Sequence, residues 1–420
     1  MMKRIPGIRD GLSWQQRWTS TLLQRDGEGP DELDAREVRF RVPDEMSDEV
    51  LRSRLDELIA CEHSLQITYL EDRPDGHLEF APGIDAPWEQ NEADSFSQLP
   101  GLPQSFQRQS GTPLWHAMLT RHPDEQGKVV RTLSTSFDYH ISDGTSARLF
   151  RDVLLGSKAV CQLAGGGYPE WLSWQRATFP ENAYRQDNEA NTFWRRYLEG
   201  ITPDTPPAFP FARRTGGRLS GTTTSILSVL PVPLRTLRAT SGRLRSSPFI
   251  LLLAAIVCGI ARAGSVTDTV LRTNVVGRRP ENRRTLGAIA DILPVRVRHN
   301  ALADPHKALE AATASWLDVL PWYTTPWEYS MQLCGEPDPA KRTLSHPQVL
   351  FNFIPWAKAD ERDLGIRQYQ AELGTFQLVV RGGPDDQLWL ACDFDSERLE
   401  LSGVESLIDH INDAMLALTI

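Results

Sequence analysis

The hydrophobic period of the chain changes within one turn between residues 129 and 154, and this restricts the fold to stacked sheet and helix. In Val129–Phe137, Leu133, Thr135 and Phe137 share one face and Ser134 and Ser136 the other, the two-residue repeat of a strand. From Gly144 onward, Leu149, Phe150, Val153 and Leu154 recur at helical spacing, while Arg148, Arg151 and Asp152 can face water. Between them lies Asp138-Tyr139-His140-Ile141-Ser142-Asp143. If the strand alternation continues, Tyr139 falls on the face of Phe137, and Asp138 and His140 on the face of the serines. A rigid strand-to-helix junction aims its loop, so reactive groups often sit there. A His beside a carboxylate can serve as a general base, because imidazole titrates near neutral pH. Equally, Asp143 can cap the helix or pair with a buried Arg, and His140 can be a satisfied loop residue. The residues alone leave both readings open.

Similar alternation recurs along the chain. Residues 36–42, 65–70, 77–80 and 114–121 read as further strands, and Ser47 caps a helix carrying Val50, Leu51, Leu55, Leu58 and Ile59 on one face. Residues 191–200 form a helix with Phe193, Trp194, Tyr197 and Leu198 on one side. Residues 202–224, rich in Pro, Gly, Thr and Arg, are the candidate connection between two lobes, 1–178 and 179–420. Beyond them, Ser246 or Ser247 caps an apolar helix over 248–263, with Pro248 in its first turn. Strands follow at 270–276, 293–298, 349–353, 376–381 and 388–394, and an amphipathic helix at 305–319. Ser402-Gly403-Val404-Glu405 fits a capping box opening the last helix. The expected fold class is α/β, with mixed α+β sheets, in two lobes.

A length of 420 residues suits two lobes, and 40% hydrophobic residues are ample for packed cores. The net charge of −10 argues against a nucleic-acid binder, which carries a basic face. Cys61, Cys161, Cys258, Cys334 and Cys392 show no C-x-x-C spacing, so neither a patterned zinc site nor a disulfide framework is expected. No signal peptide is seen, and the longest apolar run is short of the ~20 residues a bilayer requires. These readings suit a soluble cytoplasmic protein without a membrane partner. No phosphate loop, G-x-S-x-G elbow or H-E-x-x-H appears.

Several segments, in shared order, resemble motifs of the condensation-domain family of nonribosomal peptide synthetases, related in fold to chloramphenicol acetyltransferase. Residues 12–18 resemble its opening segment, and Glu62-His63-Ser64-Leu65 its R-H-x-x-L-R, of which the His aligns and the Arg residues are absent. Phe193-Trp194-Arg195-Arg196-Tyr197-Leu198-Glu199-Gly200 resembles Y-W-x-x-x-L-x-G. Gly277-Arg278-Arg279-Pro280-Glu281, Gly287 and Asp291-Ile292-Leu293-Pro294-Val295-Arg296 resemble G-R-x-x-E … G-x-x-x-N-x-L-P-x-R. Thr325-Pro326-Trp327-Glu328 resembles x-P-[FW]-E.

The family's H-H-x-x-x-D-G motif, aligned without a gap on Asp143-Gly144, places Asp138 and Tyr139 where the two His residues stand. The second family His is usually the functional one. A gapped alignment restores His140 to that position. The ungapped alignment keeps strand parity, under which His140 faces the wrong way unless the backbone bulges.

The resemblance implies two chloramphenicol-acetyltransferase-like lobes forming a pseudo-dimer with an interface channel, and a monomer. It implies that Asp143 pairs with Arg278 across the lobes, that Gly144 gives the tight turn, and that Ser146 sits in the helix's first turn. His140 or Tyr139 would act on an attacking amine or hydroxyl. Tyr139, neutral near pH 7 with an ordinary pKa of about 10, would donate or relay a hydrogen bond rather than serve as a base.

The function implied is a free-standing acyltransferase joining a carrier-protein-bound acyl or aminoacyl thioester to an amine, or less often an alcohol, in natural-product biosynthesis. Its partners would be acyl or peptidyl carrier proteins presenting phosphopantetheine arms, with no other cofactor and no metal. Two alternatives come with the resemblance. One is a docking or recruitment protein that has lost acyl transfer along with the motif His. The other is a repurposed pocket that cyclises a carrier-bound intermediate.

Overall fold

The computed structural model describes residues 13–17, 36–69, 78–81, 83, 85, 87–103, 106, 111–156, 167–180, 185–201, 209, 211–212, 223–333, 348–354 and 375–420. Cys161, Cys334, His77 and most of the proposed 202–224 connection lie outside them. The chain divides into two compact units. The first contains the described residues up to Arg185 together with Val276–Asp291, and the second those of Gln186–Val275 and from Ile292 on. This differs from contiguous lobes meeting at 178/179. The boundary comes later, and the segment carrying Arg278 belongs to the first unit, because its Leu286 and Ile289 side chains enter that unit's core.

In the first unit, strands β1 (Arg36–Val42), β4 (Trp88–Glu92), β5 (Trp115–Pro123) and β6 (Val129–Phe137) form a sheet in the order β1-β6-β5-β4. β6 is antiparallel to both neighbours, and β4 runs parallel to β5. β2 (Ile67–Tyr69) and β3 (Leu78–Phe80) make a separate pair. One face of the larger sheet, with Val38, Phe40, Leu133 and Phe137, packs with helices α1 (Asp48–Cys61) and α2 (Gly144–Leu154). Leu51, Leu55, Leu58 and Ile59 are the buried residues of α1, and Ser47 Oγ accepts from Val50 N at its start. A third helix, α3 (Gly167–Thr178), brings Tyr168, Trp171 and Leu172 into the same core.

The second unit has a six-stranded mixed sheet in the order β7-β12-β11-β10-β8-β9. Its strands are β7 (Thr223–Val229), β8 (Asp268–Val275), β9 (Asp291–Arg298), β10 (Gln348–Ile354), β11 (Thr375–Gly382) and β12 (Leu388–Asp395). β10 is parallel to β8 and β11; β12 is antiparallel to β11 and β7. The helices of this unit are α4 (Glu189–Tyr197), α5 (Leu234–Arg243), α6 (Pro248–Gly264), α7 (Pro305–Val319), α8 (Trp327–Leu333) and α9 (Leu401–Thr419). Apolar all round, α6 is buried from Ile250 to Ala261, and Ser247 Oγ caps it through Ile250 N. Its core contains Phe351, Phe376, Leu378, Leu390 and Phe394 from the sheet, and Leu407 and Ile411 from α9. Gly259 lets α6 approach α9 closely, since a Cβ there would run into Ile411. Among the described residues no single helix is long and apolar enough to cross a membrane.

The capping box expected at 402–405 does not form. α9 begins at Leu401 after Glu400, with no side-chain cap. Gly403 lies against Phe211, and a Cβ at that position would overlap the ring. Exposed helix positions gain about 1 kcal/mol from Gly→Ala, whereas overpacking a closed contact costs about 1–3 kcal/mol. The Gly403→Ala variant is therefore expected to be less stable than wild type by chemical denaturation. A gain in stability would show that Phe211 yields freely.

Candidate functional site

The site is built where β6 meets α2. The strand ends at Phe137, and residues 138–141 form a turn closed by a hydrogen bond from Ile141 N to Asp138 O at 3.1 Å. The strand alternation expected to run through His140 therefore stops three residues earlier, and the parity argument against His140 falls with it. Inside the turn Asp138 Oδ1 accepts from His140 N at 2.8 Å and lies 2.7 Å from His140 Nδ1. An ionised carboxylate only accepts, so this contact puts the ring proton on Nδ1 and the lone pair of the neutral ring on Nε2. The His140 side chain is 1% exposed, whereas Tyr139 is half-buried.

The turn is fastened from a distant part of the chain. Residues 14–17 form a helical turn in which Gln16 Nε2 donates to His140 O at 2.8 Å. The same segment is tied to α3, where Gln175 Oε1 accepts from Trp14 N at 3.1 Å. Gln15 Nε2 donates to Asp291 Oδ2 at 2.6 Å. This links the opening segment of the sequence to the 276–291 segment, although the two are remote along the chain.

Asp143 is the N-cap of α2. Its Oδ1 accepts from Ser146 N at 2.7 Å. Arg278 binds the same carboxylate in a fork, Nη1 to Oδ2 at 2.7 Å and Nη2 to Oδ1 at 3.0 Å. Ile289 N and Ala290 N donate to Oδ2 at 3.1 and 2.7 Å. Arg278 is further satisfied by Thr285 O, from Nε at 3.2 Å and Nη2 at 3.1 Å. Ser146 Oγ accepts from Arg278 Nη2 at 2.9 Å and from Gly287 N at 3.0 Å. Its single proton serves Asp143 Oδ1 or Gly287 O, at 2.9 and 2.8 Å. Burial alone would raise the Asp143 carboxyl, but Arg278 and the backbone donors hold it below the ordinary carboxylate range.

The pair joins α2 to the 276–291 segment inside the first unit; it is not the lobe-to-lobe link expected from contiguous domains. Gly277, at φ +60°, passes against the Ile289 carbonyl with no room for a Cβ, and Gly287 does the same against Tyr168. Gly144 is the first residue of α2, directly after the cap, and is exposed.

One titratable group of this neighbourhood was not singled out from sequence. Glu62, at the position where the resembling motif has Arg, is 3% exposed. Burial pushes its carboxyl up to about 8, against the opposing hydrogen bond from the Leu286 backbone, and its Oε2 has no hydrogen-bond partner among the described residues. The ring of its neighbour His63 lies tilted against Phe80, with centroids 5.2 Å apart, and burial lowers its pKa. Only the absence of the motif Arg at this position hinted at an unusual site. Among the described residues no group of three or more His, Cys, Asp or Glu side chains could hold a metal ion.

No family model matches the chain. Two large proteins of the linear gramicidin synthase of Brevibacillus parabrevis resemble it in sequence. One is 24% identical over 328 residues, covering 68% of this chain and 4% of that protein. The other is 23% identical over 272 residues, covering 59% of this chain and 5% of that protein. The chain thus spans only about a twentieth of the length of the curated relatives it matches. Among solved structures, the X-domain in complex with OxyB from teicoplanin biosynthesis superposes with a TM-score of 0.71 at 19% identity, covering 100% of this chain and 94% of that one. The first condensation domain of the calcium-dependent antibiotic synthetase gives 0.69 at 16% identity, with 97% and 96% covered.

The buried charges set two expectations for stability. Arg278→Ala and Asp143→Ala should each lower the unfolding free energy by about 3–5 kcal/mol, because each leaves an uncompensated buried partner. Melting at the wild-type temperature would show that the node carries no stability.

Glu62 acts through pH. Because its folded-state pKa lies above the unfolded value, the folded state binds the extra proton between about 4.3 and 8, so stability declines as pH rises through that window and levels off above it. Glu62→Gln should remove this decline, so that denaturation curves of the two proteins diverge from pH 5 to 8 in favour of the variant. Parallel curves across that range would show that Glu62 is ionised at neutral pH.

Proposed function

We propose that this chain, which has the fold of the nonribosomal peptide synthetase condensation domains, is a condensation-type acyltransferase. It would join an acyl or aminoacyl thioester, presented on the phosphopantetheine arm of a carrier protein, to an amine or alcohol, with no other cofactor. The observation that supports this reading best is the Asp138–His140 pair, 2.7 Å apart in a turn that the strand end and the capped helix hold in place. Asp138 orients the ring and fixes its tautomer. His140 Nε2 would take the proton of the attacking amine or hydroxyl as its N–C or O–C bond forms at the thioester carbonyl. Collapse of the tetrahedral adduct would break the C–S bond, and the proton would leave on the thiol. Tyr139 would donate a hydrogen bond to the substrate rather than act as base.

A second reading is a docking or recruitment protein without turnover. Two observations favour it. The His140 side chain is 1% exposed, so a substrate reaches Nε2 only if the turn opens. In addition, one full-length structural neighbour is an X-domain solved in complex with another protein, OxyB.

The deciding measurement is mass spectrometry of reactions between carrier-bound acyl thioesters and a panel of amines. His140→Ala should lower turnover by about 10²–10⁴-fold, the span of a lost general base. Tyr139→Phe should cost less, and Asp138→Asn should fall between them. If wild type forms no product with any pair while Tyr139→His gains turnover, the acyltransferase reading fails and the recruitment reading holds.

A further inference from the structure

The helical turn at residues 14–17 is closed by a capping box. Ser13 Oγ accepts from Gln16 N at 3.0 Å, and Gln16 Oε1 accepts in return from Ser13 N at 3.0 Å. These partners orient the Gln16 amide. Ser13 N can only donate, so it faces the oxygen, and His140 O can only accept, so it faces Nε2. Gln16 is 1% exposed, and both ends of its amide are engaged. The two residues before it seat the turn. Gln15 Nε2 donates to Asp291 Oδ2, and Gln15 Oε1 accepts from Gln175 Nε2 at 2.8 Å. Gln175 Oε1 accepts from Trp14 N, and Trp14 Nε1 donates to Phe179 O at 2.9 Å. Trp14 and Gln15 thus grip α3 and the end of the 276–291 segment, and Gln16 meets the turn of His140.

What Gln16 holds is the peptide unit that follows His140. The imidazole hangs from a Cα between two planar peptide units, and the planes of those units set where the Cα–Cβ bond points. The unit before it is fixed by His140 N donating to Asp138 Oδ1 at 2.8 Å. The unit after it carries Ile141 N and His140 O on opposite edges. Ile141 N donates to Asp138 O at 3.1 Å, and His140 O accepts from Gln16 Nε2 at 2.8 Å. Asp138 supplies the first two of these contacts from within the turn, and Gln16 supplies the third from outside it. A short turn tied only to itself can rock as a whole; a donor fixed elsewhere in the unit stops that motion at one carbonyl. The 2.7 Å contact between His140 Nδ1 and Asp138 Oδ1 requires the ring to stay where this peptide unit puts it. So does the tautomer that leaves the lone pair on Nε2.

We propose that Gln16 is a positioning residue for the Asp138–His140 pair: its amide, oriented by Ser13, fixes the His140 carbonyl and so holds the ring in the pose and tautomer that proton transfer needs. The part Gln16 plays in turnover rests on the acyl-transfer reading above, whereas its hold on the ring does not. Gln16 touches no reacting atom. Loss of its donor should lower kcat by about tenfold or more, because the base is misplaced, and leave KM roughly unchanged.

The test is nuclear magnetic resonance of the imidazole nitrogens in protein labelled at histidine, at about pH 9, where an ordinary imidazole is neutral and a carboxyl ionised. The His140 signals are those lost in His140→Ala. In wild type they should show the proton on Nδ1. Gln16→Met, close in size but without a donor, should convert them to an average of the two tautomers and lower kcat as above. Gln16→Glu should do the same. It keeps an oxygen for Ser13 N, and hence the capping box, but sets a carboxylate against the His140 carbonyl, and it decides the matter if Gln16→Met does not fold. Ser13→Ala removes the cap of Gln16 N and leaves both amide contacts of Gln16 in place, so it should melt earlier yet keep the wild-type ring signals. Wild-type signals in a folded Gln16 variant overturn the proposal and leave the acyl-transfer reading standing. Loss of the tautomer in Ser13→Ala to the same degree also overturns it, because the effect is then general loosening. If wild type forms no product while the ring signals respond as expected, the acyl-transfer reading fails and the hold of Gln16 on the ring stands.

Discussion

The carboxylate of Asp143 and the guanidinium of Arg278, forked together inside the first unit, hold the site's geometry. They stand 135 positions apart in the chain. One oxygen of Asp143 caps α2 and so fixes where the helix starts. The other accepts Ile289 N and Ala290 N, which pins the 276–291 segment onto that helix start. Desolvating two charges offsets most of their attraction, so such a pair is weak evidence for net stability. What it does specify here is arrangement. With its lone pairs and donors satisfied only in this geometry, any other seating of the segment leaves a buried charge unpaired.

The turn at 138–141 inherits its rigidity from that arrangement. It is bounded by the last rung of β6 on one side and the capped helix on the other, and Gln16 holds its His140 carbonyl. Alternation already sets Asp138 and His140 on one side and Tyr139 on the other, and the closed turn brings the first two side chains to 2.7 Å, where Asp138 sets the tautomer of the ring, while Tyr139 is half-buried. The same confinement buries the imidazole. A group positioned in this way is well oriented for proton transfer and poorly placed for access, which is why its chemistry and its accessibility point toward different functions.

Much of this was legible from residue patterns. The serines that cap α1 and α6 stand directly before apolar helical repeats, and the side-chain oxygen of each reaches the backbone three residues on, a local geometry that needs no tertiary partner. The strand of β6 was equally plain, because strict alternation leaves no competing period. The start of α9 was not. Ser402 and Glu405 have the right spacing for a capping box, but the helix begins at Leu401, and Gly403 within it packs against Phe211. Glu62 carried no signal of its own, because burial of a carboxyl is a property of what surrounds it.

The amino-acid sequence by itself determined the secondary structure around the site, the mixed α/β character, and the identities of the groups gathered there, since these follow from periodicity, capping and side-chain chemistry over a few neighbouring residues. The tertiary structure decided where the strand stops, and with it how closely His140 approaches Asp138. It also decided that Val276–Asp291 joins the first unit rather than the second, and that four polar groups of β5 and β6 are buried with no hydrogen-bond partner among the described residues. Each of these depends on atoms brought together from distant parts of the chain, where burial and hydrogen bonding set energies that no local pattern encodes.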